Sequence, residues 1–259
     1  MDHAEVLRTF DAQMREGCGA LTPEGVVRQV ERGPQGWAGV VWSDLTEATA
    51  DRAIAAQLAW WEAQEGADRE FEWKLYSHDR PADLGDRLAA AGFVPEPAET
   101  LMVAEIAELP LDLPVPDGVR FETVTDAAGV DLLTEVNALA FATVFAGYRE
   151  RLLAHLGDDN VHMTVAMAGD RPVCGARLEF HPGTRFASLW GGGTVEEWRR
   201  RGIYRALVAH RARIAAGRGC RYLQVDASDQ SRPILERLGF APLAVTTPYV
   251  VGAQGSAQA

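Results

Sequence analysis

The sequence predicts an α/β fold, a mixed sheet with helices on both faces, and three observations carry that prediction. From Val119 to Val251 the strand-like and helix-like periodicities follow in the order β, α, α, β, β, β, α, β, α, β. Such an order packs as a sheet covered by helices rather than as a bundle or a sandwich. A basic turn, Arg199-Arg-Arg-Gly-Ile-Tyr-Arg205, joins one of these strands to the helix that follows it. A truncated version of the pattern precedes it in the chain, where Gly92-Phe-Val-Pro95 echoes Gly239-Phe-Ala-Pro242.

The N-terminal elements come first. Trp37 to Leu45 reads as a strand, Thr46 to Gln64 as a helix and Phe71 to Ser77 as a second strand. A helix ends at Gly92 and a strand follows it. Trp60 and Trp61 belong to the core or to a domain interface. Residues 108–118 then hold three prolines in eleven positions, and proline fixes φ and removes donors, so an extended linker is expected. It separates an N-terminal domain, 1–107, from a C-terminal domain, 119–251, with a small polar tail at 252–259 expected to be disordered.

In the C-terminal domain Val119 to Val124 alternates as a strand, and Asp131 to Phe145 and Tyr148 to Leu156 read as helices. Val161 to Met167, Val173 to His181 and Phe186 to Val195 are strands, the first two joined by the tight turn Ala168-Gly-Asp-Arg-Pro172. From about Gly202 to Ala216 the apolar residues Ile203, Leu207, Val208 and Ile214 fall near one helical face. Tyr222 to Asp226 is a short interior strand. Pro233 starts a helix that Gly239 stops, and Leu243 to Val251 is the last strand.

Composition narrows the function. The 259 residues carry a formal net charge of −12, which argues against a general nucleic-acid or anionic-membrane binder. No apolar run is long enough for a membrane helix, and the acidic N-terminus lacks the features of a signal peptide. Three widely spaced cysteines give no disulfide framework, so a cytoplasmic protein is expected. There is no metal-binding signature, P-loop or Gly-x-Ser-x-Gly elbow.

Against this acidic background, Arg199 to Val225 holds eight arginines and no Asp or Glu. A helix start leaves its first N–H groups unpaired and carries partial positive charge, so the turn suits a small polyanion. Arg211, Arg213 and Arg218 are expected simply to face water. The corresponding N-terminal turn, Ser43-Asp-Leu-Thr-Glu47, has neither glycine nor arginine, and its acidity would repel a phosphate.

On these residues the C-terminal domain resembles the GNAT superfamily of acyl-CoA-dependent N-acetyltransferases. Thr194-Val-Glu-Glu-Trp-Arg-Arg-Arg-Gly-Ile-Tyr-Arg-Ala-Leu-Val208 is similar to the family's Arg/Gln-x-x-Gly-x-Gly/Ala motif at Arg199 and Gly202, but not at Tyr204. Ser231-Arg-Pro-Ile-Leu-Glu-Arg-Leu-Gly-Phe240 is similar to its Leu-Gly-Phe motif, and the element order matches. The resemblance implies a tandem: an active C-terminal GNAT fold behind a degenerate GNAT-like half. It implies acetyl-CoA as co-substrate, with the pyrophosphate held by the backbone of Arg200, Arg201, Gly202, Ile203, Tyr204 and Arg205. Thr194 and Val195 would bond the pantetheine arm, and a backbone N–H near Thr194 or Val195 would meet the developing oxyanion. A small-molecule primary amine would accept the acyl group by direct attack, in a monomer or homodimer, without metal, nucleic acid or membrane. Tyr204 is tolerable only with its side chain turned from the phosphates. Leu235 stands where the family often has a general-acid tyrosine, and it cannot donate a proton.

An ammonium must lose a proton before it attacks, so a base or water chain is required. Glu179 is the candidate catalytic base, with His181 on the same face of its strand. The competing expectation is that Glu179 is salt-bridged and His181 is a turn residue. His162 and His210 are read as packing or surface residues, Glu196 and Glu197 as caps or partners of the arginines, and Asp226 as able to orient an amine. A non-catalytic CoA-binding or sensing module is the alternative function.

Overall fold

Alternating apolar side chains place one face of each strand against helices, and in the computed structural model that alternation organises the chain around two sheet-and-helix units. The structure describes residues 1–31, 36–64, 70–143 and 147–252. The expected tail, and the end of the helix expected at Asp131 to Phe145, lie outside the described residues. One unit comprises Met1–Leu101, Asp226–Asp229 and the described part of 243–259, and the other comprises Met102–Val225 and Gln230–Pro242.

The first unit opens with α1 (His3–Phe10), capped by Asp2. The strands β1 (Ala20–Leu21), β2 (Val26–Val30) and β3 (Ala38–Ser43) follow, then α2 (Ala50–Glu62), β4 (Glu70–Tyr76), α3 (Leu84–Ala90), β5 (Val94–Pro95) and β6 (Glu99–Glu105), whose end passes into the second unit. β1, β2 and β3 pair antiparallel in turn, while β3 and β4 are parallel through Gly39↔Glu72 and Val40↔Trp73. Trp61 packs in the core, stacked on Phe71 at 5.3 Å. Trp60 is partly buried there, under the Arg28 guanidinium at 3.4 Å from the ring centre.

The second unit contains β7 (Val119–Thr123), α4 (Ala127–Phe141), α5 (Tyr148–Ala154), β8 (Val161–Ala168), β9 (Arg171–Phe180), β10 (Phe186–Thr194), α6 (Ile203–Gly217), most of β11 (Tyr222–Ala227) and α7 (Arg232–Leu238). α4 starts four residues before the expected Asp131, because the Asp126 carboxylate accepts the Gly129 N–H at 2.9 Å and caps the helix there. β7 to β10 pair antiparallel in order, and β10 pairs parallel with β11. Alternation sends Met163, Val165 and Met167 into a core with α4 and α5. Cys174 and Ala176 pack with Ile203 and Leu207 of α6.

The last strand, β12 (Ala241–Gly252), contains the expected Leu243 to Val251. Its pairing was not foreseen: Thr246 to Gly252 run antiparallel along Tyr76 to Glu70 of β4, and Tyr249 and Val250 pair with β5. Tyr249 and Val251 pack against the core of the first unit. Gly85 faces the Tyr249 hydroxyl so closely that a Cβ would lie 2.6 Å from it, so this contact depends on glycine.

Candidate functional site

The basic turn in the second unit is built by β10 giving way to α6. Gly202 is the N-cap, with φ of +85°, and no side chain caps the helix. Its carbonyl accepts the Ala206 N–H at 3.0 Å, which starts the helical ladder and leaves the amides of Ile203, Tyr204 and Arg205 at the open end. Arg200 also has positive φ, +61°. A left-handed arginine costs energy that glycine would not, so the turn keeps both an unusual backbone and a charge at that position. A Cβ on Gly202 would meet nothing nearer than Pro116 at 4.0 Å, so it is the positive φ and not crowding that calls for glycine here. Arg200, Arg201 and Arg205 are exposed around it, Arg201 lying 4.4 Å over the Trp198 ring. Ile203 is 1% exposed and anchors the first turn in the core.

Arg199, the motif arginine, does different work. Its Nε donates to the Thr194 carbonyl at 3.1 Å and its Nη2 to the Ala140 carbonyl at 2.8 Å. It ties the end of β10 to the last turn of α4, where a cation also meets the negative end of the helix.

Beside this turn the sheet opens. The parallel register between β10 and β11 runs from Phe186↔Tyr222 to Ser188↔Gln224, whereas β10 continues to Thr194. A register shift against β9 between Trp190 and Gly193 bends β10 at this point, and Gly191 sits at φ +56°. Thr194 Oγ1 lies 3.1 Å from Cys174 Sγ. The Val195 N–H donates to the Val173 carbonyl at 3.0 Å. Of the two positions expected near the oxyanion, Thr194 and Val195, the amide of Val195 is therefore committed to the sheet edge.

Tyr204 turns toward the sheet. A Cβ on Gly192 would lie 2.9 Å from the Tyr204 ring and 3.6 Å from its hydroxyl. The bulk at 204 is thus accommodated by the missing side chain at 192. Burial pushes the Tyr204 phenol up, with the Arg211 guanidinium opposing, so the hydroxyl stays protonated.

Arg211 corrects the expectation that it faces water: it is 1% exposed. It lies four residues after Leu207 and eight after Ile203, on the apolar stripe, a periodicity that could have revealed it. Its Nη1 donates to the Arg177 carbonyl at 3.1 Å, while Nη2 is buried without a hydrogen-bond partner. Burial lowers its pKa. Arg213 and Arg218 are exposed.

On the opposite face, β9 carries Glu179 in an ion pair with Arg177, 2.5 Å from Nε to Oε1. His181 lies just past the strand end, its Nε2 2.6 Å from the Ser188 hydroxyl, which also receives Gln224 Nε2 at 2.5 Å. Burial lowers the His181 pKa, with Glu179 opposing, and favours the neutral ring. Asn137 donates to the Tyr148 hydroxyl at 3.1 Å, and a Cβ on Gly191 would lie 3.1 Å from that hydroxyl. Neither residue was singled out from the sequence, since both sit on helices whose loop partners carry no motif.

The remaining candidates are peripheral to the turn. Glu197 pairs with Arg171 at 3.4 Å rather than with the neighbouring arginines. His210 lies 5.1 Å from the Phe121 ring and 6.3 Å from His162, and burial with nearby Arg213 takes it down to about 4. Asp226 belongs to the first unit, where Lys74 holds it at 2.7 Å. Leu235 is fully buried. Among the described residues no His, Cys, Asp or Glu group converges for a metal, and no helix is long and apolar enough to cross a membrane.

A sheet that parts beside an uncapped, arginine-flanked helix start is the geometry of this site in an α/β protein. Comparison with known proteins supplies the family. Residues 131–240 match the model of the acetyltransferase (GNAT) family, so this segment of the chain carries a GNAT domain. A GCN5-related N-acetyltransferase from Kribbella flavida has a similar structure, with a TM-score of 0.71 at 17% identity over 98% of this chain and 96% of that one. One from Sphaerobacter thermophilus gives 0.62 at 15% identity, over 99% and 87%. A tandem GNAT protein from the clavulanic acid biosynthesis pathway gives 0.60 at 17%, over 90% and 80%. At these identities the likeness establishes the fold, the mixed α/β GNAT type. No curated protein matches the sequence.

Proposed function

We propose that the chain is an acyl-CoA-dependent N-acyltransferase that moves an acetyl group from acetyl-CoA to a primary amine of a small molecule. The observation that carries this reading is the bare start of α6, with Arg200, Arg201 and Arg205 around it and β10 parting from β11 beside it. The amides of Ile203, Tyr204 and Arg205 at the uncapped helix start suit a pyrophosphate. When bound, acetyl-CoA supplies an acyl group on a good leaving thiolate. The protein contributes chiefly position: the helix start fixes one end of the co-substrate and the bent strand β10 fixes the other. Glu179, paired with Arg177, takes the proton that the acceptor amine sheds.

The test pairs binding with turnover. Gly202→Glu should abolish the thermal shift produced by CoA while the variant stays folded, and an unchanged shift rejects the site. Wild-type protein should release thiol from acetyl-CoA across a panel of primary amines. Glu179→Gln should slow that release at neutral pH more than it weakens CoA binding, and a wild-type pH–rate profile would discard Glu179.

A second reading, a CoA-binding or sensing module without turnover, is favoured by Leu235, fully buried where a proton donor would stand. A CoA-dependent thermal shift with no thiol release from any amine would select it.

A further inference from the structure

We infer that Arg211 is an electrostatic positioning residue of the second unit, a buried cation that steadies negative charge forming along the parted stretch of β10. This role rests on the acyltransferase reading and adds a residue outside the basic turn. Arg211 comes from the middle of α6 and is 1% exposed. Its Nε reaches the Leu207 carbonyl at 3.4 Å and its Nη1 the Arg177 carbonyl of β9 at 3.1 Å. Nη2 is buried with no hydrogen-bond partner, and a Cβ on Gly192 would lie 3.5 Å from it. Gly192 follows Ser188↔Gln224, where the pairing of β10 with β11 stops, and sits inside the register shift between Trp190 and Gly193. The unpaired end of the guanidinium is thus aimed at the backbone where the sheet opens.

Packing alone does not account for a charge here. An uncharged side chain of similar length would fill the same space and cost less to bury. Burial lowers the pKa of Arg211, but arginine starts so high that it stays protonated. The groups whose charge acts on it favourably are Tyr204 and Cys174, and neither is a carboxylate. Both are neutral at pH 7, since burial pushes the phenol up and takes the thiol to about 11. Glu179, on the other face of β9, is paired with Arg177. Arg211 therefore brings an unbalanced positive charge to the underside of β10, where a low dielectric lets it act at a distance.

Acyl transfer to an amine forms a C–N bond and breaks a C–S bond, whose electron pair stays on sulfur. The proton shed by the amine passes to Glu179 and returns to the sulfur through solvent, so negative charge stands beside β10 in between. A fixed cation behind the strand stabilises that charge without having to move. Arg211 acts through the strand rather than by contact.

The test titrates CoA bound to the full chain, reading thiolate absorption in the ultraviolet against pH with ligand-free protein subtracted. In the wild type the bound thiol should ionise at a lower pH than free CoA. Arg211→Gln removes the charge and keeps a hydrogen-bond donor. It should raise the pKa of the bound thiol by about one unit, with CoA still bound as tightly below that pKa. Arg211→Lys keeps the charge and should restore most of the wild-type shift. A bound thiol in the wild type that titrates like free CoA overturns the role, whether or not any variant folds. So does a wild-type shift that persists in Arg211→Gln, or an Arg211→Lys protein that matches Arg211→Gln, since charge would then not be the cause. Absence of CoA binding is a separate result, which rejects the acyltransferase reading as well.

Discussion

The two strand-to-helix junctions, β3 to α2 and β10 to α6, share a scaffold, and no side chain caps either helix, but they set opposite charges before it. In the first unit the Thr46 carbonyl accepts the N–H groups of Thr49 and Ala50 at 3.1 and 3.0 Å, and Thr49 Oγ1 accepts the Thr46 N–H at 2.9 Å. Arg87 then reaches across to Asp51 at 2.9 Å and to the Glu47 carbonyl at 3.3 Å. The Ala50 amide is thus taken by backbone, and exposed acids, Asp44 and Glu47, stand at the entrance. In the second unit the helix starts bare behind Gly202, and its arginines stand in solvent. A fold of this type provides a helix start in each half, and a handful of local residues set the charge that stands before it.

The largest test of that contrast places a negative charge at each entrance. Gly202→Glu should weaken CoA binding by at least roughly a hundred-fold, about 3 kcal/mol, while Ala48→Glu in the other junction should leave it unchanged. Equilibrium binding of a fluorescent CoA derivative measures both, and equal losses would erase the distinction. Gly192→Ala comes next, since its methyl would meet the Tyr204 ring. It should cost roughly 1–3 kcal/mol in urea denaturation, and Tyr204→Ala in the same chain should recover most of that.

Acid and base should separate the two units further. His210 has its pKa lowered to about 4 from 6.5, so its neutral form supports the second unit fully above pH 6.5, and that support is lost as pH falls toward 4. Because the ring is partly exposed, about 1 kcal/mol is expected after screening. Glu99 has its pKa raised from 4.5 to about 7, so its effect runs the other way: the first unit loses stability as pH rises through that window. Amide hydrogen exchange resolved by residue would show opposite pH trends in the two units, and parallel trends would refute the assignment. The smallest effect is expected from Arg205→Ala. A loss of about 0.3–1 kcal/mol in CoA affinity, fading in high salt, is the expected result at an exposed helix start.

Periodicity made most elements legible. β9, β10, α6 and α7 fall within a few residues of their expected bounds because side-chain alternation and the stop at Gly239 are local signals. The basic turn was legible for the same reason, being one short segment. What escaped were facts made by distant residues. Arg211 lay on a visible apolar stripe, yet arginine's usual exposure outweighed the pattern. The relay of His181, Ser188 and Gln224 needs three strands in register, and no single segment encodes that. The Tyr204–Gly192 fit joins a motif position to a glycine run that carried no message until the ring was seen against it. The partner of β12 was hidden too, since period-two patterning specifies which face is buried but not which neighbour is chosen.

That last strand carries a consequence for biosynthesis. β4 emerges from the ribosome at residues 70–76, while the strand that covers it spans 241–252. For most of translation β4 therefore waits with an unpaired edge, the kind of backbone that recruits other strands. Chains cut short before β12 should be the ones that clump or are cleared by proteases, even with the entire α6 junction already made.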